Sequence, residues 1–361
     1  MLIVPVRDGP GRRLAMAIRD QAGRALLTAG TVLTMGQCEA IARRGYRHVA
    51  VRDGLADDAA PHDAISERTR TDAQRIARQA LEGARTGRAV RTQDVVRAVD
   101  AIVGDLRGAG GAVVELSALR SATDYTYVHC VHVCVYALLI GHGLGLPEPH
   151  LRALGMGALL HDVGKVFCAD LVAREGPLGP EDWARMRRHP RDGFDILRRH
   201  PDLHLYAAHV AFQHHERMDG SGYPRGLQGE RILPLARMVA VADVYDAITA
   251  DRPHAPARPP HAAVEELRAG AGTLFDPDCV AALTRRVALY PTGTPVCLAD
   301  GSVGVVVEQG DLPEEPLVRL LGRAGRRVDD PEPATVAAAG PLAVAGVLRC
   351  WPEWLAAEVA V

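Results

Sequence analysis

Residues 153–162 read ALGMGALLHD. Apolar and small residues run without a charge and stop on an adjacent histidine and aspartate. Leu154, Ala158 and His161 stand at i, i+4 and i+7, so a helix places them on one face. That face is the one a globular protein buries. A buried imidazole and carboxylate need partners, and a metal ion supplies them. Three residues beyond Asp162 comes Lys165, the only lysine in the chain; the other forty-one of the 42 Lys and Arg residues are arginine. A bias of that kind reflects coding composition, which makes the exception informative. An arginine fork does not always replace a compact ammonium.

Working outward, eleven of the fifteen histidines lie between 129 and 215. His129 precedes His161 by 32 residues and His189 follows it by 28. The pair His214 and His215 begins another 25 on, and Asp243 lies 28 beyond His215. Each interval approximates one helical hairpin, so successive helices of a bundle can deliver ligands to a shared interior site. Adjacent residues on a helix point about 100° apart and can straddle two ions, with Asp162 bridging them. Imidazole combined with carboxylate suits first-row divalent metals such as Fe or Mn, not Mg alone. Two ions roughly 3.5–4 Å apart can clamp a phosphodiester and activate the attacking hydroxide. His132, His142, His150, His200 and His204 read as ordinary core or surface residues. Asp246 reads as a supporting residue rather than a ligand.

The flanks have a different texture. Residues 1–55 form a small mixed α/β module with a helix near Met35–Arg44 and a strand at His48–Val51. Residues 56–120 combine a linker with connecting helices. Residues 121–289 are helical, broken by turn signals at 145–147, 175–180 and 220–224 and by the proline-rich stretch 253–260. Residues 290–361 alternate apolar and polar residues around Gly and Asp, as short strands do. The fold class is therefore mainly α: a helical bundle flanked by a small mixed α/β N-terminal module and a small β-rich C-terminal appendage.

Bulk composition narrows the function. The 361 residues are 48% hydrophobic and 24% charged, with a formal net charge of −2. Without a basic excess, a grip on a nucleic-acid polymer through many phosphates is not expected, whereas a small anionic ligand in a local pocket is. The seven cysteines form no CxxC and suggest neither a disulfide framework nor a zinc knuckle. The N-terminal MLIVPVRDG is charged too early for a signal peptide, and the apolar run 131–146 is shorter than a membrane span. A reduced, cytoplasmic setting with no membrane insertion is the expectation.

Five stretches together resemble a known family. They are DYTYVHCVHV (124–133), HDVGK (161–165), MRRHPRDGFDIL (186–197), HHERMDGSGYPRGL (214–227) and VADVYDAITADRP (241–253). Their order and spacing are similar to the HD-GYP family of HD phosphohydrolases over roughly residues 124–285. The resemblance implies an all-α HD-type bundle that hydrolyses cyclic di-GMP to linear pGpG and on to GMP. It implies metal ligands at His129, His161, Asp162, His189, His214, His215 and Asp243, with Asp162 and Lys165 catalytic. Lys165 and Arg217 would contact phosphate. Gly222, Tyr223 and Pro224 would form a loop beside the substrate, ordered by Asp219. Three-metal members carry Glu one turn before the first histidine; Tyr125 stands there in this chain, which favours two divalent ions. Arg174, Glu175 and Gly176 replace a KPG-like turn, and His254 stands where Tyr is common.

Two other readings stay open. One is a phosphohydrolase of another cyclic dinucleotide or nucleotide. The other is a slow cyclic di-GMP receptor signalling through its flanking modules, as a homodimer or with a signalling partner.

Overall fold

The computed structural model describes residues 2–20, 24–52, 54, 57, 59, 63–88, 90–110, 112–116, 125–174, 176–252, 256–324, 326–328, 333–340 and 342–348. Glu175, His254 and Asp124 lie outside the described residues, as does the side chain of Tyr125. The helices are α1 (Met35–Arg43), α2 (Glu67–Arg85), α3 (Thr92–Gly108), α4 (Tyr125–Gly143), α5 (Glu148–Leu160), α6 (Ala169–Ala173), α7 (Pro180–Met186), α8 (His189–Leu197), α9 (Leu205–Gln213), α10 (Pro234–Thr249), α11 (Pro260–Gly270) and α12 (Pro277–Thr284). The strands are β1 (Leu2–Pro5), β2 (Ile18–Arg19), β3 (Ala25–Leu27), β4 (His48–Val51), β5 (Pro295–Leu298), β6 (Val303–Glu308), β7 (Leu317–Arg323), β8 (Arg326–Arg327), β9 (Pro333–Thr335) and β10 (Val344–Val347). By Cα proximity one unit gathers Met1–Ala64, Gly111–Ser121 and Arg285–Val361, and a second gathers Ile65–Gly110 and Ala122–Thr284.

The second unit is the helical bundle. Its axis is α4, which packs against α5, α10 and α2. Val128 through Gly141 are buried without interruption, because the helix is apolar on every side. Such a helix belongs in a core or a membrane. The window Thr126–Gly143 is long and apolar enough for either, and 78% of it is buried inside the protein. The apolar run from Ala153 to Leu160 forms most of α5. Its Leu154, Leu159 and Leu160 are fully buried, each stabilising the fold by roughly 1.5–3 kcal/mol. Two glycines in that run let neighbouring helices approach. A Cβ at Gly155 would meet Val99 of α3 at 2.5 Å, and one at Gly157 would meet Val210 of α9 at 2.8 Å. Residues 67–85 and 92–108, read from sequence as connecting helices, are helices and pack on α4 and α5.

In the other unit, β1 and β4 pair antiparallel from Leu2 opposite Val51 to Pro5 opposite His48. Helix α1 starts on a capping box between Thr34 and Gln37. Leu14, Ile18, Leu33, Ile41 and Val49 form a small core with them. The C-terminal strands run in the order β10-β5-β6-β7-β8, with β9 also on β7. Alternation along β6 sends Val303 and Val305 to one apolar cluster and Val306 to another, as a pleated strand requires. The buried Glu115 belongs to the same unit. Its Oε1 accepts from the Thr292 backbone N–H at 2.7 Å and from the Thr292 hydroxyl at 2.9 Å.

Candidate metal centre

Helix ends build this site. The last four carbonyls of an α-helix have no partner inside the helix. Ala158 lies in the last turn of α5, Met186 ends α7 and Ala211 lies in the last turn of α9. A histidine three residues later meets each of these carbonyls. The Nδ1 of His161 lies 2.7 Å from the Ala158 oxygen, that of His189 2.7 Å from the Met186 oxygen and that of His214 2.8 Å from the Ala211 oxygen. A carbonyl only accepts, so each Nδ1 must carry the proton and each Nε2 must present a lone pair. One bond thus terminates the helix and orients the ring. The sequence places the His-Asp doublet at the close of a helix; in the structure α5 ends at Leu160, His161 caps it and Asp162 opens the 3-10 turn Val163–Cys168.

The seven residues picked out from the sequence converge. Asp162 is buried at their centre. Its Oδ1 lies 3.4 Å from His189 Nε2 and 3.8 Å from His214 Nε2. Its Oδ2 lies 3.4 Å from His161 Nε2, 3.7 Å from His129 Nε2 and 2.6 Å from Lys165 Nζ. The two oxygens of one carboxylate therefore face two different imidazole groups. Asp243 Oδ1 stands 3.1 Å from His129 Nε2, and its Oδ2 stands 3.8 Å from His215 Nδ1. Two donor sets follow, His129, His161 and Asp243 on one side and His189, His214 and His215 on the other, each with its ligand atoms within 4.8 Å of one another.

These groups fit a pair of cations better than they fit one another. His189 Nε2 and His214 Nε2 approach to 3.3 Å, although both rings have spent their proton on a carbonyl. Two lone pairs facing at that distance repel unless a cation lies between them. Burial also pushes the basicity of His189 down to about 4 and that of His214 and His215 well below the usual range, so these rings stay neutral at pH 7. Burial alone would raise Asp162 and Asp243, but the His161 imidazole and the Lys165 ammonium beside Asp162, and the His129 hydrogen bond on Asp243, hold both carboxyls well below the ordinary range. The Nε2 of His161 and Oδ1 of Asp162 are buried with no hydrogen-bond partner among the described residues. The neutral imidazoles of His189, His214 and His215, the anionic carboxylates and the orphaned buried atoms make a donor set for divalent metal ions.

Other residues hold the ligands in place. Asp246 is fully buried, with Oδ2 at 2.7 Å from His129 Nδ1 and Oδ1 at 3.1 Å from His132 Nδ1. It supports a ligand, as expected from sequence, and it also grips His132, which the sequence left as a plain core residue. A carboxylate behind a ligating histidine fixes its tautomer and raises its basicity. Gly164 is demanded by contact: a Cβ there would lie 2.0 Å from the His189 carbonyl oxygen and 2.6 Å from the Gly193 nitrogen. The turn that carries Lys165 is thereby pressed against α8.

The loop 216–227 closes one side. A Cβ on Gly222 would meet Arg217 N at 2.4 Å and His215 O at 2.5 Å, so only glycine lets the loop fold back on the ligand pair. Tyr223 follows, stacked on the His215 ring at 4.7 Å and 26°, and is joined to Pro224 by a cis peptide. Asp219 Oδ1 accepts from the Ser221 N–H and hydroxyl at 2.9 and 2.7 Å. Arg217 donates Nη1 to the His214 and Glu216 carbonyls and lies over the Phe275 ring. Sequence reasoning passed over Glu216. It is buried, and its two oxygens accept from the N–H groups of Arg225 and Leu227, each at 2.9 Å, clamping the far end of the loop. An acid set between the histidine pair and Arg217 was the available signal.

Residues 115–279 match the family described as HD domain. Among curated proteins, the chain is 37% identical over 251 residues to cyclic di-GMP phosphodiesterase PA4108 of Pseudomonas aeruginosa, covering 69% of this chain and 60% of that protein. It is 43% identical over 176 residues to the cyclic di-GMP phosphodiesterase response regulator RpfG of Xanthomonas campestris, covering 47% of each. It is 34% identical over 170 residues to 3'3'-cGAMP-specific phosphodiesterase 3 of Vibrio cholerae, covering 47% of this chain and 37% of that protein. The chain thus spans between about a third and three fifths of the length of these relatives.

Proposed function

We propose that residues 115–279, which match the HD domain family, are of its HD-GYP type, and that the chain is a metal-dependent phosphodiesterase that cleaves cyclic di-GMP to linear pGpG. The observation that carries the metal-dependent chemistry is the 3.3 Å approach of two imidazole lone pairs, His189 Nε2 and His214 Nε2, beside a carboxylate whose two oxygens face separate histidine groups. The substrate class rests on the relatives' names and on the HHERMDGSGYPRGL loop.

His129, His161 and Asp243 would hold one ion and His189, His214 and His215 the other, with Asp162 shared; Fe or Mn suits the donors. Such ions polarise a phosphoryl oxygen and bring the pKa of the attacking water near neutrality. Lys165 stands where its ammonium, on Asp162 and one-fifth exposed, neutralises charge developing on the phosphoryl oxygens. Arg217 keeps the rest of its fork for a phosphate. Tyr223 stands beside the substrate, and Asp219 and Glu216 hold the loop that carries it. Described cysteines are unpaired thiols, in keeping with a cytoplasmic enzyme. The flanking modules are the place for a homodimer contact or a signalling partner.

The test is to strip the protein with a chelator, reload it with Mn or Fe, and follow products from cyclic di-GMP, 3'3'-cGAMP and deoxynucleoside triphosphates by chromatography. The expected outcome is metal-dependent cleavage of cyclic di-GMP, with His161→Ala and Asp162→Ala losing at least about 100-fold in rate along with bound metal. Turnover of triphosphates without cyclic di-GMP cleavage would refute the substrate class. Exclusive cleavage of 3'3'-cGAMP would move the substrate to that of the Vibrio cholerae relative. Tight binding without turnover would make the chain a receptor.

A further inference from the structure

Arg187 caps α7, one residue beyond the Met186 carbonyl that orients His189. Its guanidinium lies over the Tyr223 ring, 5.4 Å from the centroid, and the same ring stacks on His215. Two other arginines of this stretch are neutralised by carboxylates. Arg185 holds Asp170 with both nitrogens at 2.7 and 2.8 Å, and Arg174 holds Asp182. Arg187 has no carboxylate within ion-pair distance among the described residues, and it is exposed. A guanidinium resting over a ring, with no carboxylate on it, keeps N–H groups available for a planar or tetrahedral anion. The arrangement is thus a fixed, unneutralised cation sharing one aromatic ring with the metal-ligand cluster.

We propose that Arg187 binds the second, non-reacting phosphate of a cyclic dinucleotide and so makes the site selective for substrates with two phosphodiesters. This rests on the substrate reading above. Such a substrate places one phosphate on the metal centre with Lys165. The other keeps its negative charge while the rings around it lie against protein, where an unmatched charge is costly. Arg187 supplies the match from the Tyr223 side of the centre. A substrate with a single phosphodiester has nothing to offer it.

Steady-state kinetics on metal-loaded wild type and Arg187→Ala, with cyclic di-GMP and with bis(p-nitrophenyl) phosphate in parallel, test this. Loss of a charge-assisted contact raises KM for cyclic di-GMP by roughly tenfold or more. The kcat changes little, and the variant's KM for the single diester stays at the wild-type value. Arg187→Lys, which keeps the charge, recovers part of the loss. Equal losses on both substrates would mean that Arg187 only props Tyr223, and no change on either would mean that it is idle; both overturn the proposal. Wild-type protein that cuts the chromogenic diester and not cyclic di-GMP overturns the substrate reading itself, together with this inference. Wild-type cleavage of cyclic di-GMP with an unchanged KM in Arg187→Ala overturns this inference alone.

Discussion

Replacing Asp246 with asparagine tests whether the metal centre is held from behind. The carboxylate lies fully buried between His129 Nδ1 at 2.7 Å and His132 Nδ1 at 3.1 Å, and both nitrogens donate to it. An asparagine has one oxygen. If that oxygen stays on His129, its NH2 faces the His132 N–H and His132 must change tautomer. The bond to His129 survives, but to a neutral acceptor. Hydrogen bonds to charged groups contribute about 1.5–3 kcal/mol and neutral ones about 1, so the His129 ring loses on the order of 1–2 kcal/mol of support. In affinity that is roughly tenfold, at the lower edge of the 10–100-fold that partners of ligating histidines typically command. Competition between protein and a chromogenic chelator for Mn reads this directly. The control is Asp100→Asn, which weakens the surface pair with Arg152, where both side chains are more than two-fifths exposed; such pairs contribute little, and metal affinity should not move. An Asp246→Asn protein that binds Mn as tightly as wild type, or an Asp100→Asn protein that loses as much, would refute the reasoning.

Two further outcomes follow from the same geometry. In the metal-free protein, burial works against a charged His129, but the bonds and charge of Asp243 and Asp246 outweigh it and raise its pKa to about 9. Stability from that group is complete below the ordinary 6.5 and lost as pH rises through about 9; His189, pushed by burial to about 4, contributes stability that is complete above 6.5 and lost as pH falls towards 4. Thermal midpoints of metal-free protein should therefore peak near pH 6.5, and a steady rise from 6.5 to 9 would contradict the placement of His129 between two carboxylates. The second outcome contrasts two glycines. Gly164→Ala drives a methyl into the His189 backbone at 2.0 Å and should cost about 3 kcal/mol or more with loss of bound metal. Gly104→Ala on the exposed side of α3 meets nothing within 4 Å and should stabilise by about 0.4–1 kcal/mol; denaturant unfolding of both variants checks the pair.

Much of this architecture was readable in the chain because its signals are local. The apolar period before His161, the glycine and proline breaks, and the alternation after residue 290 each report on neighbours a few residues away. The histidine intervals predicted convergence because bundle hairpins have similar lengths. Helix ends were less legible. Periodicity fixes a boundary only to within a residue or two, and here one residue separates a ligand inside α5 from a ligand that caps it. Contacts between distant segments carried no local signal at all. Asp246 meets His129 across 117 residues; its spacing from Asp243 suggested support, and nothing marked His132 as a second partner. Glu216 was hidden by company, one charged residue among several in a motif dense with them. Gly164 looked like an ordinary turn residue until the His189 carbonyl was found against it.

The three imidazoles anchored to helix-end carbonyls have a consequence for how the protein acquires its ions. Each ring is aimed by a bond three residues long, formed when its own helix stops, so the coordination geometry is a by-product of folding and does not wait for the metal. A cavity shaped in advance cannot tailor itself to whichever cation arrives. Discrimination among Mn, Fe and their neighbours then rests on how well each ion's preferred geometry meets the preset donors, and on which ions the surroundings supply. Emptied and offered a mixture, the same scaffold would take up the ions whose geometry it already matches.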